Sequence, residues 1–321
     1  MLTFLKNWTL PVAIVMGTVA YLLFANIPAL DYIGTAMAPV FYDSLPWFMF
    51  FILLVTFCKI DFRQLLPVAW HFYEAVVQVL LVVVVVAAVL LLRATGDTLT
   101  LLEAVLCCVI APCACAAAVV TAKMGGNMAQ VTTYNFLSNL ITALLVPVAF
   151  PLVDSTVHLD FWPSFWHLLT KVCMVLVLPM AAAYVVKHYI PALHRRIVAV
   201  RDLSFYLWAA SLAIVTGITV RNIAHAQTTT AFLVLVAAVS LAVCVMQFAI
   251  GRMIGAPRHR AQEAAQSLGQ KNTSFAIWIA YAYLNPLSSV GPGCYILWQN
   301  CINSVELWYH RRNAHTAHDD K

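Results

Sequence analysis

The sequence predicts an all-α polytopic membrane protein with ten transmembrane helices, and its composition is the first observation that supports this fold class. Of the 321 residues, 63% are hydrophobic and only 10% are charged, whereas a soluble domain carries about 25% charged residues. So few charges cannot cover a water-facing surface, and so apolar a chain is not disordered. Because a transmembrane helix uses about 20 apolar residues, ten helices leave no room for a separate soluble domain. We therefore expect residues 1–321 to form one membrane domain.

Ten apolar runs give the expected positions of the helices. They lie near residues 8–30, 37–58, 70–92, 99–123, 130–152, 165–187, 203–221, 230–251, 263–283 and 286–306, followed by a tail at 307–321. The first run has the length of a signal peptide, but no small-x-small cleavage site follows it, which favours a retained helix.

The basic residues predict how the chain is oriented in the membrane. With a cytoplasmic N-terminus, 14 of the 18 Lys and Arg residues fall on the cytoplasmic side and three on the opposite side. An excess of cytoplasmic basic residues is the usual determinant of orientation, so we expect both termini in the cytoplasm and the lipid bilayer as the surroundings. The basic residues occupy separate loops and form no continuous stripe, which argues against a nucleic-acid partner.

Two of the predicted spans are poor helices. The fourth has Pro112 in its middle, among small residues, and the ninth has a polar stretch at 266–274 that contains Gly269 and Lys271. Each is the fourth span of a group of five. Corresponding breaks in two halves are typical of an inverted-repeat transporter whose binding site lies at the breaks. We therefore predict a 5+5 inverted repeat; a pair of unrelated kinks is the alternative.

Other site chemistries find little support in the sequence. The nine cysteines lie mostly in apolar runs and form no CxxC pair, which argues against disulfides and zinc. Cys113 and Cys115 are candidate ligands for a soft metal, but packing of small residues is the preferred explanation. No HExxH or GxSxG motif is present, so we expect no enzyme, no metal and no cofactor.

Several segments of the chain, taken in order, resemble the bile acid:sodium symporter (BASS) family, and the resemblance covers most of the sequence. The segments that carry it are Lys59–Pro67, Gln78, Pro112, Gly269–Asn272 and Trp298–Asn300. The resemblance implies a secondary transporter that carries a small organic anion across the inner membrane by alternating access, in an elevator or rocking movement. A membrane receptor that keeps the fold and binds its ligand without transport is the alternative.

The resemblance also implies a division of the fold. A panel covers about 8–58 and 165–221, and a core covers about 70–152 and 230–306, in which the broken helices four and nine cross. The substrate then lies beside the crossing, where helix ends offer unpaired N–H groups and a positive dipole to an anion. The residues expected to contact it are Ala114, Cys115, Asn272, Thr273, Gln299 and Asn300.

The positions that the resemblance assigns to the family's two sodium sites depart from the family. The first site has lost most of its oxygen ligands, and the second has lost its carboxylate and gained an ammonium. These positions are Gln78, Ala117, Ala118, Val131, Asn135 and Ser267. Sodium prefers carboxylate, hydroxyl and carbonyl oxygens, and Ser267 stands where the family has a glutamate. We therefore predict transport that is independent of sodium; a sodium-coupled symporter with rearranged sites is the alternative.

Lys271 occupies the place of a family glutamine and is predicted to replace the bound cation. A family site with one glutamate and two sodium ions carries a net charge of +1, and a site with one lysine and no glutamate carries the same charge. Glu263 lies about 2.2 helical turns earlier, on another face of a regular helix, and is not expected to neutralise it. Polar neighbours at 270, 272 and 273 favour a fixed cation, whereas loss of its proton would give a proton-coupled carrier. The alternative is a lysine that snorkels to the interface.

Overall fold

The computed structural model describes residues 8–154 and 160–319, and within these ranges the regular secondary structure is helical, with no strand beyond one isolated bridge. Lys6 and Lys321, which the orientation argument uses, lie outside the described residues. The helices are α1 (Thr9–Asn26), α2 (Pro28–Lys59), α3 (Ala69–Leu92), α4 (Gly96–Ile110), α5 (Cys115–Lys123), α6 (Met128–Val153), α7 (Phe161–Tyr189), α8 (Pro191–Ala199), α9 (Leu203–Ala224), α10 (Thr230–Gly255), α11 (Ala261–Gly269), α12 (Thr273–Tyr283) and α13 (Val290–Asp319).

Long apolar helices confirm an all-helical, multi-pass membrane protein. In the described ranges, six helices are long and apolar enough to cross a bilayer, namely α1, α3, α6, α7, α9 and α10. In addition, α2 contains a shorter apolar stretch, Ser44–Lys59. The count of ten spans and the inverted repeat stay predictions.

The predicted fourth and ninth spans are each divided into two short helices. Pro112 has no N–H and disfavours a helical conformation in the preceding residue, and α4 ends at Ile110 just before it. In the other span α11 ends at Gly269, and α12 begins after Asn272, whose side chain accepts a hydrogen bond from the Phe275 N–H at 3.2 Å. Both predicted breaks are therefore extended segments of three or four residues.

The helix contacts fall into two sets. In one set, α1 packs against α2 and α9, and α2 also packs against α7. In the other set, α3 packs against α4 and α6, and α10 packs against α11 and α13. The first set contains helices that the prediction assigns to the panel and the second contains helices that it assigns to the core, and this division stays a prediction. The contacts between them run mainly through α5, α6 and α13.

Within the first set, α1 and α9 approach each other closely at Gly17. A Cβ atom built on Gly17 would overlap the backbone oxygen of Ala213, and one on Gly217 would lie 3.1 Å from the backbone oxygen of Gly17. Helices in a membrane associate through such close packing of small residues, because lipid provides no hydrophobic driving force.

We predict that Gly17→Val destabilises the protein, because the added side chain forces α1 away from α9. Overpacking of a tight interface costs about 1–3 kcal/mol, which is measured as a lower unfolding temperature of the detergent-purified protein. The matched control is Val19→Leu, since the Val19 side chain is 46% exposed. Equal unfolding temperatures for the two variants would contradict the packing described here.

Candidate functional site at the crossing of two broken helices

The two extended segments meet in an antiparallel bridge between Cys113 and Lys271. The Asn272 N–H donates to the carbonyl of Pro112 at 2.8 Å, and the Ala114 N–H donates to the carbonyl of Gln270 at 2.8 Å. The breaks in the two helices are thus joined through their backbones, and the crossing expected from the resemblance is present.

Side chains from neighbouring helices bind the central residue of each extended segment. The Cys113 N–H donates to Ser138 Oγ at 2.9 Å, and its carbonyl accepts from Asn135 Nδ2 at 2.7 Å. The Lys271 N–H donates to Gln299 Oε1 at 2.9 Å, and its carbonyl accepts from Gln299 Nε2 at 3.3 Å. An unpaired backbone group costs several kcal/mol in a membrane, so these side chains stabilise the crossing.

Gln78 on α3 makes hydrogen bonds to four groups beside the crossing. Its Nε2 donates to the carbonyl of Ile110 at 3.4 Å and to Thr142 Oγ1 at 3.2 Å. Its Oε1 accepts from Ser138 Oγ at 3.0 Å and from the Tyr134 hydroxyl at 3.3 Å. The amide therefore ties α3 to the end of α4 and to α6.

The Lys271 side chain is buried at the crossing, with only 1% of its surface exposed. This burial rules out a lysine that snorkels to the interface. Its Nζ has no hydrogen-bond partner among the described residues, so the expectation that residues 270, 272 and 273 satisfy the ammonium is wrong. Glu263 is engaged elsewhere, because its Oε1 accepts from the Asn127 N–H at 3.0 Å and from Arg260 Nη1 at 3.1 Å.

Glu74 on α3 is a buried carboxylate that the sequence analysis missed. It is completely buried, and neither carboxylate oxygen has a hydrogen-bond partner among the described residues. The carboxylate interacts electrostatically with Lys271. Four residues separate Glu74 from Gln78, which places both on one face of α3.

Glu74 adds a second ionisable side chain to the charge count made from the sequence. With Glu74 ionised and Lys271 protonated the site is neutral, and with Glu74 protonated it carries the predicted charge of +1. The signal for Glu74 in the sequence was a single acidic residue one turn before Gln78 in an otherwise apolar span. An acidic residue near the end of a span resembles an interfacial charge, so this one was missed.

The comparison with protein families decides the class of protein. The model of the sodium bile acid symporter family matches residues 46–226, more than half of the chain. The chain belongs to this family. It is therefore a membrane transporter of the bile acid symporter type, in a family of transporters and not of enzymes. The match includes Gln78, Pro112 and Asn135 but ends before Lys271. A comparison with curated proteins gave no match.

In this symporter-family protein, three of the six positions assigned to sodium carry apolar side chains. Ala117, Ala118 and Val131 are buried in one apolar cluster. Ser267 is also buried, and its Oγ has no hydrogen-bond partner in the part of the chain that is described. Asn135 uses its amide nitrogen to bind the Cys113 carbonyl.

The residues predicted to contact substrate lie next to the crossing in the structure. Of these six, Ala114, Cys115 and Asn272 are partly exposed, whereas Thr273, Gln299 and Asn300 are buried. Both polar atoms of the Gln299 side chain already make hydrogen bonds to the Lys271 backbone. Substrate contact by these residues stays a prediction.

A cavity of about 420 Å³ with basic walls lies between the two sets of helices. Lys59, Lys123, Arg201, Arg311 and Asp202 line it, and none of the six predicted substrate residues does. Lys123 Nζ lies 2.6 Å from Asp202 Oδ2 and so joins α5 to the start of α9. Lys59 Nζ donates to the two backbone carbonyls just before α9, at 2.9 and 3.0 Å. Sequence analysis assigned all four basic residues to one side of the membrane but not to one cavity.

We predict that Gln299→Leu lowers the unfolding temperature, because it leaves both backbone groups of Lys271 unpaired in a buried site. Each unsatisfied buried group costs about 1–3 kcal/mol, measured by thermal unfolding in detergent. The control is Thr133→Ala, whose hydroxyl donates to the carbonyl of Ala129 in its own helix. An unchanged unfolding temperature for Gln299→Leu would show that the crossing does not depend on this side chain.

Proposed function

We propose that this family member is a secondary transporter that moves a small organic anion across the inner membrane by alternating access and without sodium, with Lys271 in place of the bound cation. The observation that carries the proposal is the buried Lys271 ammonium at the crossing of the broken helices, without a hydrogen-bond partner in the described residues. A buried ionisable residue in a membrane is expensive and marks a functional site.

Two features of the former sodium positions support sodium independence. Ala117, Ala118 and Val131 offer no side-chain oxygen to a hard cation. The oxygen-bearing residues Gln78 and Asn135 already make hydrogen bonds that hold the crossing together. Bonds within the protein thus do the structural work that a bound cation would otherwise do.

The electrostatics of the structure favour an anionic substrate. The helices α5 and α12 both begin at the crossing, and the N-terminus of a helix attracts anions through its free N–H groups and dipole. The basic cavity between the helix sets adds four cationic side chains against one carboxylate. With both termini in the cytoplasm, as the basic residues predict, this cavity opens towards the cytoplasmic side.

The first experiment is exchange by the purified protein in liposomes, with radiolabelled pyruvate as a small monocarboxylate and radiolabelled taurocholate as the bile acid of the family's description. We expect counterflow of at least one probe, unchanged when choline replaces sodium. A roughly tenfold or larger loss of exchange without sodium would contradict sodium independence. Binding without any exchange would indicate a receptor, and protein-free liposomes serve as the control.

The second experiment removes the proposed internal cation. We expect Lys271→Ala to lower exchange by at least about 100-fold, because the anion loses its counter-charge and Glu74 remains buried without one. Lys271→Gln keeps hydrogen-bonding capacity at the crossing and should retain more activity, although without any dependence on a pH gradient. Arg258→Ala is the control, since this arginine is exposed and stacks over Tyr73. Full exchange by Lys271→Ala would exclude a role for the lysine.

A further inference from the structure

We propose that Glu74 and Lys271 form a buried proton-binding pair, and that Glu74 takes up one proton for each monovalent anion that the protein carries. The inference rests on the proposed transport function and names its coupling ion. It differs from titration of Lys271, because here the lysine stays charged and the carboxylate changes its protonation state.

The two groups are matched in burial and in their lack of partners. Glu74 is 0% exposed and Lys271 is 1% exposed, and neither carboxylate oxygen nor the ammonium nitrogen has a hydrogen-bond partner among the described residues. They interact electrostatically, but no ion pair within 4.0 Å joins them in that part of the chain. Each charge therefore faces an opposite charge without the direct contact that would lock both side chains in place.

The other ionisable groups near the pair are neutral. The Cys113 thiol and the Tyr134 hydroxyl interact with the carboxylate, and the Cys108 thiol interacts with the ammonium. Thiols and phenols are protonated near pH 7. On α3 itself, His71 Nδ1 accepts a hydrogen bond from a backbone N–H at 3.1 Å, which requires a neutral ring. Lys271 is therefore the positive group that faces Glu74 in the described structure.

Charge balance then links proton uptake to anion binding. The empty site is neutral when Glu74 is ionised and Lys271 is protonated, and a monovalent anion added to it would leave a net negative charge in a medium of low dielectric constant. If Glu74 first accepts a proton from the medium, Lys271 becomes the free counter-charge of the anion. The loaded site is again neutral. Proton and anion leave together on the other side, and nothing else is consumed.

This scheme predicts an electroneutral symport that the wild-type protein can test. In sodium-free liposomes with an external pH one unit below the internal pH, we expect pyruvate or taurocholate to accumulate up to about tenfold, since one pH unit is a tenfold proton gradient. A potassium diffusion potential of either sign, set with valinomycin, should leave that accumulation unchanged.

Variants of the carboxylate test its identity as the proton site. Glu74→Gln imitates the protonated form, so we expect exchange at equal pH to continue while accumulation in the pH gradient is lost. Glu74→Asp keeps a titratable group and should keep accumulation. The matched control is Glu103→Gln on α4, because Glu103 is also buried and has an unpartnered oxygen in the described structure; it should accumulate like the wild type.

Three results would overturn the inference while the transport function stands: exchange without acceleration by the pH gradient, accumulation that follows the membrane potential, or gradient-driven accumulation by Glu74→Gln. Absence of exchange with both probes in the wild type would contradict the transport function itself. If Glu74→Gln does not fold, the measurements on the wild type with a pH gradient and with a membrane potential, together with Glu74→Asp, still test whether Glu74 binds the coupled proton.

Discussion

A backbone that leaves the helical conformation inside a membrane must find hydrogen-bond partners in the protein, because lipid offers none. The crossing meets this requirement in two layers. The two extended segments pair with each other at Pro112–Asn272 and Ala114–Gln270, and polar side chains of α6 and α13 bind the backbones of Cys113 and Lys271. The positions of polar residues on these helices therefore follow from the breaks.

This use of polar side chains limits what else they can do. An amide oxygen that already accepts hydrogen bonds is less free to replace the hydration shell of a sodium ion. Gln78 Oε1 accepts from Ser138 and Tyr134, and Asn135 Oδ1 accepts from Asn139. In the proposed function, Lys271 and Glu74, which are part of the protein, carry the charge at the crossing. In this proposal a side chain of the protein takes the place of a cation bound from solution, and only a proton is exchanged with the medium.

Local chemistry determined what the sequence could predict. The two helix breaks could be predicted from the residues at the breaks themselves, Pro112 and the polar stretch at 266–274. The interrupted spans and the residues beside them were therefore predictable from the sequence. The role of Glu74 could not be predicted from the sequence, because its pairing with Lys271 depends on how α3 packs at the crossing. A single acidic residue near a span end also has an ordinary interfacial explanation. The basic cavity was missed for the same reason, since it is assembled from segments that are distant in the chain.

The same structure indicates where movement costs little. The hydrogen bonds of the crossing lie within one set of helices, so the crossing moves as a body in the proposed alternating access. Between the two sets, the Lys123–Asp202 pair has side chains about a third exposed, at 33% and 30%, and exposed ion pairs contribute only about 0.2–1 kcal/mol. Such a contact can break and re-form in each cycle. In the proposed mechanism the buried Glu74–Lys271 pair instead travels with the crossing, and the site stays neutral only when the bound proton and anion are counted with the pair.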